Sequence, residues 1–135
     1  MLRRTFPLLF AGAMLLSVAA APAPDEAPVA DAVMKRDTAR VRLLIKQGAD
    51  VNAAQGDGMT ALHWAAALGD ADLAKMLVFA GARVEAATRN GNYTPLHLAA
   101  RSGRVAAVRA LVDVGANVNA ATTSGGATPL HLAAA

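Results

Sequence analysis

The heptapeptide Thr94-Pro95-Leu96-His97-Leu98-Ala99-Ala100 recurs as Thr128-Pro129-Leu130-His131-Leu132-Ala133-Ala134, and in altered form as Thr60-Ala61-Leu62-His63-Trp64-Ala65-Ala66. Both intervals are 34 residues. A string that returns at a fixed period of this size describes a tandem array, in which each unit buries its apolar face on its neighbours rather than in one closed core. The string also has a local meaning. A Thr hydroxyl can take one of the unpaired N–H groups of a helix's first turn, and Pro is tolerated best just inside a helix start. The Leu and Ala that follow give a helix with one bulky side and one flat side, and flat Ala faces allow close stacking. Composition agrees: of 135 residues 55% are hydrophobic, yet only three are Phe, one Trp and one Tyr. A closed core of this size would call for more large side chains.

Each unit has more than its heptapeptide. Gly69 or Gly103 follows the first helix, suited to the left-handed backbone that ends one. A second helix then runs to Gly81-Ala82 or Gly115-Ala116, Val84 or Val118 follows, and a Gly-containing turn leads to the next Thr. Thr-Pro-Leu-His-x-Ala at this period resembles the ankyrin repeat, and the resemblance covers residues 27 to 135. It implies an all-α solenoid, a β-turn plus an antiparallel helix pair per unit, stacked in an open, slightly curved array. The units read as 27–59, 60–93, 94–127 and a partial 128–135.

The N-terminus is of a different kind. Arg3 and Arg4 precede an apolar run from Phe6 to Val18, and Ser17-Val18-Ala19-Ala20-Ala21 supplies small residues. That order is a secretory signal peptide over residues 1–21, with cleavage after Ala19 or Ala20. The alternative is an uncleaved anchor, although the run is shorter than the roughly 18–20 residues a spanning helix needs. Arg3-Arg4-Thr5-Phe6 also resembles the start of a twin-arginine signal, a pattern that Pro7 breaks. A Pro-rich linker, residues 22–26, leads into the array. The whole chain has 13 Lys+Arg against 10 Asp+Glu, a formal +3. Without Arg3 and Arg4 the balance is 11 against 10, so charge does not point to nucleic acid, which would call for cations clustered on one face.

Helices are expected near 28–35, 38–46, 61–67, 71–79, 95–101, 105–113 and 129–134. In the second helices, Val41, Leu44, Ile45, Ala74, Leu77, Val78, Val108, Leu111 and Val112 fall at inward spacings of three and four. Aligning the first unit 33 residues before the second puts Ala27 on Thr60, so its capping Thr and its His are missing. Asp31, Lys35, Arg36, Arg40 and Arg42 make it polar, as a solenoid's water-facing end must be. Against a 33-residue repeat the later units each carry one extra residue, placed in or beside the turns 54–59, 88–93 and 122–127. The partial last unit lacks a second helix and a polar cap. Residues 128–135 are therefore expected to fray, and the natural protein to continue with further repeats.

The candidate chemical groups reduce to structural ones. His63, His97 and His131 recur one unit apart, and stacked helices sit about 8–10 Å apart. Two nitrogens on one zinc lie at most roughly 4 Å apart, so these histidines cannot share an ion, and there is no Cys. Each ring is expected to bond beside its own Thr60, Thr94 or Thr128 and to turn backbone, a role the ankyrin resemblance also implies. No phosphate loop, nucleophile elbow or catalytic spacing occurs. Asp57 and Asp72 stand at turn and helix-start positions, and Asp70 suits the capping of a helix. No enzyme, cofactor or metal site is expected. Trp64 replaces Leu98 and Leu132, either as a packing residue between units or as an aromatic anchor for a partner.

The resemblance implies a protein-binding module whose partner lies on the concave face of turn tips and first helices. The tip residues carried over are Gln55, Asp57, Met59, Arg89, Asn90, Asn92, Tyr93, Thr123 and Ser124. The first-helix residues are Ala67, Leu68, Arg101 and Ser102. Two alternatives stand beside it: a regulatory or scaffolding part of a larger exported enzyme with its catalytic domain beyond residue 135, and a structural spacer of the cell envelope. A monomer without membrane contact after signal cleavage is expected. The short signal and Cys-free chain suit a Gram-negative periplasm.

Overall fold

The computed structural model describes residues 26–135. The expected signal peptide, its cleavage site and nearly all of the linker lie outside them. Seven helices are described: α1 (Pro28–Met34), α2 (Thr38–Lys46), α3 (Ala61–Leu68), α4 (Ala71–Phe79), α5 (Pro95–Arg101), α6 (Val105–Asp113) and α7 (Pro129–Ala134), with no strand among the described residues. The first helices α1, α3, α5 and α7 lie side by side, each pairs with its own second helix where one follows, and α6 packs on α4. This is the all-α repeat solenoid that the ankyrin resemblance implies, and the tandem stacking that the 34-residue period calls for.

Helix starts follow from the residues at them. Thr60, Thr94 and Thr128 each accept a bond from the backbone N–H of the His three residues on, and that His ring accepts one back from the Thr N–H. This is a capping box in which His stands where Glu or Gln is usual. Asp37 and Asp70 cap α2 and α4 through the N–H groups of Arg40 and Leu73, at 3.1 and 3.0 Å. At the matching position α6 has Arg104, which gives no side-chain cap. The first helices of the second and third units end on left-handed Gly69 (φ 79°) and Gly103 (φ 67°). The first unit has Arg36 there at φ 59°, a conformation that costs a non-glycine residue roughly 1–2 kcal/mol.

The core is a row of single leucines set among alanines. Leu62, Leu77, Leu96 and Leu111 are fully buried, and so are Ala61, Ala65, Ala66 and Ala99 on the flat faces between units. Each such leucine contributes about 1.5–3 kcal/mol of apolar burial. Of the second-helix residues expected to face inward, Val41, Ala74, Leu77 and Leu111 are buried, while Leu44, Ile45, Val78 and Val108 are half-buried. Val112 departs from the expectation and is 42% exposed. Its counterpart Val78 has α6 packed on its helix, whereas no further second helix lies over Val112 among the described residues.

The first unit is a polar end. Arg40 and Leu43 are exposed at positions where the next units carry Leu73 and Met76, then Ala107 and Ala110, against a neighbour. The turns also explain the uneven period. Gln55 N–H bonds the Met59 carbonyl, whereas Thr88 and Thr122 bond the carbonyls of Tyr93 and Ala127, one residue further on. The extra residue therefore sits inside the second and third turns, where an insertion leaves the helix packing untouched.

Candidate protein-binding surface

The turns are joined tip to tip. Arg89 N–H donates to the Asp57 carbonyl and Thr123 N–H to that of Gly91, both at 3.0 Å. Contact is close enough that a Cβ on Gly58 would lie 2.7 Å from the Arg89 nitrogen. Gly58 also has φ +87°, so only glycine fits there. Within each of the two longer turns a threonine hydroxyl closes the loop: Thr88 accepts from Tyr93 N–H and Thr122 from Ala127 N–H, both at 3.0 Å.

Histidines tie this row of turns to the helices behind it. His63 Nδ1 accepts from Thr60 N–H at 3.1 Å, so the ring proton sits on Nε2, which donates to the Tyr93 carbonyl of the next turn at 2.9 Å. His97 repeats the arrangement, accepting from Thr94 N–H at 3.0 Å and donating to the carbonyls of Ala120 and Ala127 at 3.0 and 3.1 Å. Both rings are fully buried. Burial holds the His63 imidazole below the ordinary histidine value, outweighing its bonds to backbone at Tyr93 and Ala86 and the pull of Asp57. His131 makes the same bond to Thr128 N–H at 3.1 Å but is exposed. The expected tether role thus holds at two of the three positions, and among the described residues no group of His, Cys, Asp or Glu could hold a metal.

The candidate contact residues divide into two kinds. Asp57, Arg89, Asn90, Asn92, Thr123 and Ser124 are exposed on the turns, and Arg101 and Ser102 at the end of α5. Asn92 holds φ +58°, so it serves the turn's backbone as well as its surface. Met59, Ala67, Leu68 and Tyr93 are half-buried. The Tyr93 ring stands edge-on to His97 at 5.9 Å and carries the Arg101 guanidinium at 5.2 Å.

Gln55 is not a free tip residue. It donates to the Asp31 carboxylate at 2.6 Å and accepts from the Trp64 indole N–H at 2.8 Å. It therefore links the first two units, and Trp64, half-buried against the core, serves packing between them.

Several further side-chain ties join the units. The Asn52 amide donates to the Gly81 carbonyl at 2.9 Å and accepts from Arg83 N–H at 2.7 Å. Glu85, one unit on, accepts from Asn117 N–H at 2.8 Å. The Arg104 side chain crosses Gly69 and donates to the Ala67 carbonyl at 3.4 Å. Alignment of the units offered a sign of the last, since Arg104 falls where Asp37 and Asp70 stand.

Two family models match the chain: ankyrin repeats (many copies) over residues 29–78, and ankyrin repeats (3 copies) over residues 85–135. The chain belongs to the ankyrin-repeat family. Ankyrin repeats generally bind other proteins, and their all-α fold is typically non-catalytic. No curated protein matches the chain.

Proposed function

We propose that this chain is an exported, non-enzymatic module that binds another protein through its turn tips and the adjoining ends of its first helices. One observation carries the reading. The turns are fixed to each other and to the helices by backbone and histidine hydrogen bonds, while Arg89, Asn90, Thr123 and Ser124 point their side chains into water. A rigid frame with free side chains binds with little loss of conformational freedom. The apolar run Phe6–Val18 behind Arg3 and Arg4 supports export to the periplasm, with the mature protein starting at Ala20 or Ala21 and acting as a monomer. No helix among the described residues is long and apolar enough to cross a membrane.

The test begins with the partner captured from the exported fraction. Replacing Arg89 and Tyr93 together should weaken its binding at least tenfold while helicity is kept. Replacing Lys75 and Arg109, exposed on the second helices, should not. The reverse pattern would put the site on the second helices. Mass spectrometry of the exported protein tests the signal, and recovery of intact Met1 from a membrane fraction would refute cleavage.

A further inference from the structure

Tyr93 and Arg101 form a pair that the other units do not repeat. Shifted by one unit, Tyr93 corresponds to Met59 and Ala127, and Arg101 to Ala67. The tyrosine is held at its backbone, where its N–H donates to Thr88 Oγ1 at 3.0 Å and its carbonyl accepts from Thr88 N–H and from His63 Nε2, both at 2.9 Å. Its ring is held by the edge-on contact with His97 and by Gly91, whose Cα leaves no room for a Cβ beside the ring. Arg101 in turn lies over that ring at 5.2 Å. A guanidinium held over one ring face still has N–H groups directed away from the ring, and these can meet a carboxylate in two-point geometry. Arg101 is exposed, so these groups are open to a ligand.

Asp57 and Asp31, both in the first unit, already have partners. Asp57 accepts from the Met59 N–H of its own turn at 3.0 Å, and Asp31 accepts from Gln55 at 2.6 Å. One unit back, the positions of Leu98 and Ser102 hold Trp64 and Leu68, both half-buried, and two units back the position of Arg101 holds Met34, 39% exposed.

We propose that the partner presents an acidic segment whose Asp or Glu side chain is clasped by Arg101 over the Tyr93 ring, with an apolar residue about one unit, roughly 10 Å, away over Trp64 and Leu68. The inference rests on the protein-binding reading above and names the chemistry of the partner. It gives a role to the arginine over a tyrosine ring, where the units before and after carry Ala67 and Ala135. A preorganised fork loses less freedom on binding than a free one, so Arg101 contributes more than an ordinary surface cation such as Arg109.

The probe is a library of random dodecapeptides displayed on phage and fused through their C-termini, so that only side chains supply carboxylates. It is selected on the whole chain, and the enriched sequences are remade as synthetic peptides. Expected is enrichment of peptides holding Asp or Glu near an apolar residue. Affinity should fall at least tenfold on Glu→Gln or Asp→Asn exchange in the peptide, or on Arg101→Gln in the protein, and less than twofold on Arg109→Gln. Arg101→Lys, which keeps the charge and loses the fork, should recover only part of it. Melting curves of all three variants confirm folding. Peptides that bind equally well to Arg101→Gln, or that lack acids, would overturn the carboxylate clasp and leave the protein-binding reading standing. Equal loss on Arg101→Gln and Arg109→Gln would reduce it to general attraction between charges, and absence of any enriched peptide would refute both readings.

Discussion

The strings Thr94–Ala100 and Thr128–Ala134 are identical, and Arg101 follows the first where Ala135 follows the second. Their local structures are also alike: the same Thr cap, the same returning bond from Thr N–H to the imidazole, and Pro in the first turn. Their surroundings differ. Leu96 is 2% exposed and Leu130 76%, and His97 is buried where His131 is exposed. Seven residues thus suffice to start a helix, while the neighbouring unit decides whether that helix has a core. Such short helices are not stable by propensity alone, since isolated helices below about 12–15 residues are marginal in water. The array is held by what each unit covers on the last.

The sharpest break of this comparison is at the leucines. Leu96→Ala should cost about 2–5 kcal/mol, the range for emptying a buried leucine site. Leu130→Ala, at the same place in the same string, should change stability by no more than about 0.5 kcal/mol, as exposed positions do. Urea unfolding of the two variants measures both. Equal losses would mean that Leu130 is covered in solution.

The histidines come next. His97→Ala removes a buried group with partners at Thr94, Ala120 and Ala127, and should destabilise by roughly 1–3 kcal/mol, the cost of stranding such partners. His131→Ala should cost clearly less, because its ring and Thr128 can both turn to water. A chelator should leave every melting curve in place. A midpoint that dropped on chelation would make these rings metal ligands after all.

What was legible in the sequence follows the same division. The Thr-x-x-His caps, the Asp70 cap and the left-handed Gly69 and Gly103 are written within a few residues of where they act, and all are found in the structure. The link from Asp31 through Gln55 to Trp64 was not legible, because its two bonds span 24 and 9 residues and no pattern marks them. Gln55 looked like a free tip residue for that reason. Val112 looked inward because helical spacing reports which side of a helix is apolar, and cannot report whether a neighbour covers it. At the proposed binding surface, the aromatic and the arginine could be picked out by residue type, but the placing of the guanidinium over the ring depends on how the second turn meets α5.

Acid should act through His63. Its folded-state value lies below the ordinary one of about 6.5, because burial disfavours the imidazolium by more than its backbone bonds and Asp57 favour it. Above about pH 6.5 the ring is neutral in both folded and unfolded chains, and its contribution to stability is complete. Below that, the unfolded chain binds the proton first and stability falls as pH drops toward the folded value. Unfolding free energies at pH 7.5 and 5.5 should differ in that direction, and His63→Gln should reduce the difference. An undiminished pH dependence in the variant would assign it to other groups.

The smallest effect should come from Arg104, and its sign is the informative part. The residue stands at the start of α6 where the other second helices have Asp, so the helix lacks a side-chain cap and has a cation at the positive end of its dipole. In return, its side chain reaches back across Gly69 to the Ala67 carbonyl, but at 3.4 Å and in water that bond is weak. Arg104→Asp would exchange this tie between units for a local cap worth about 1 kcal/mol. The cap should prevail, giving a net gain of about 0.5 kcal/mol, while Arg104→Ala, which loses the tie and gains nothing, should be slightly destabilised. If Arg104→Asp instead proves less stable than the parent, the crossing of Gly69 is worth more than its length suggests, and contact between units governs even at a position where a local cap was available.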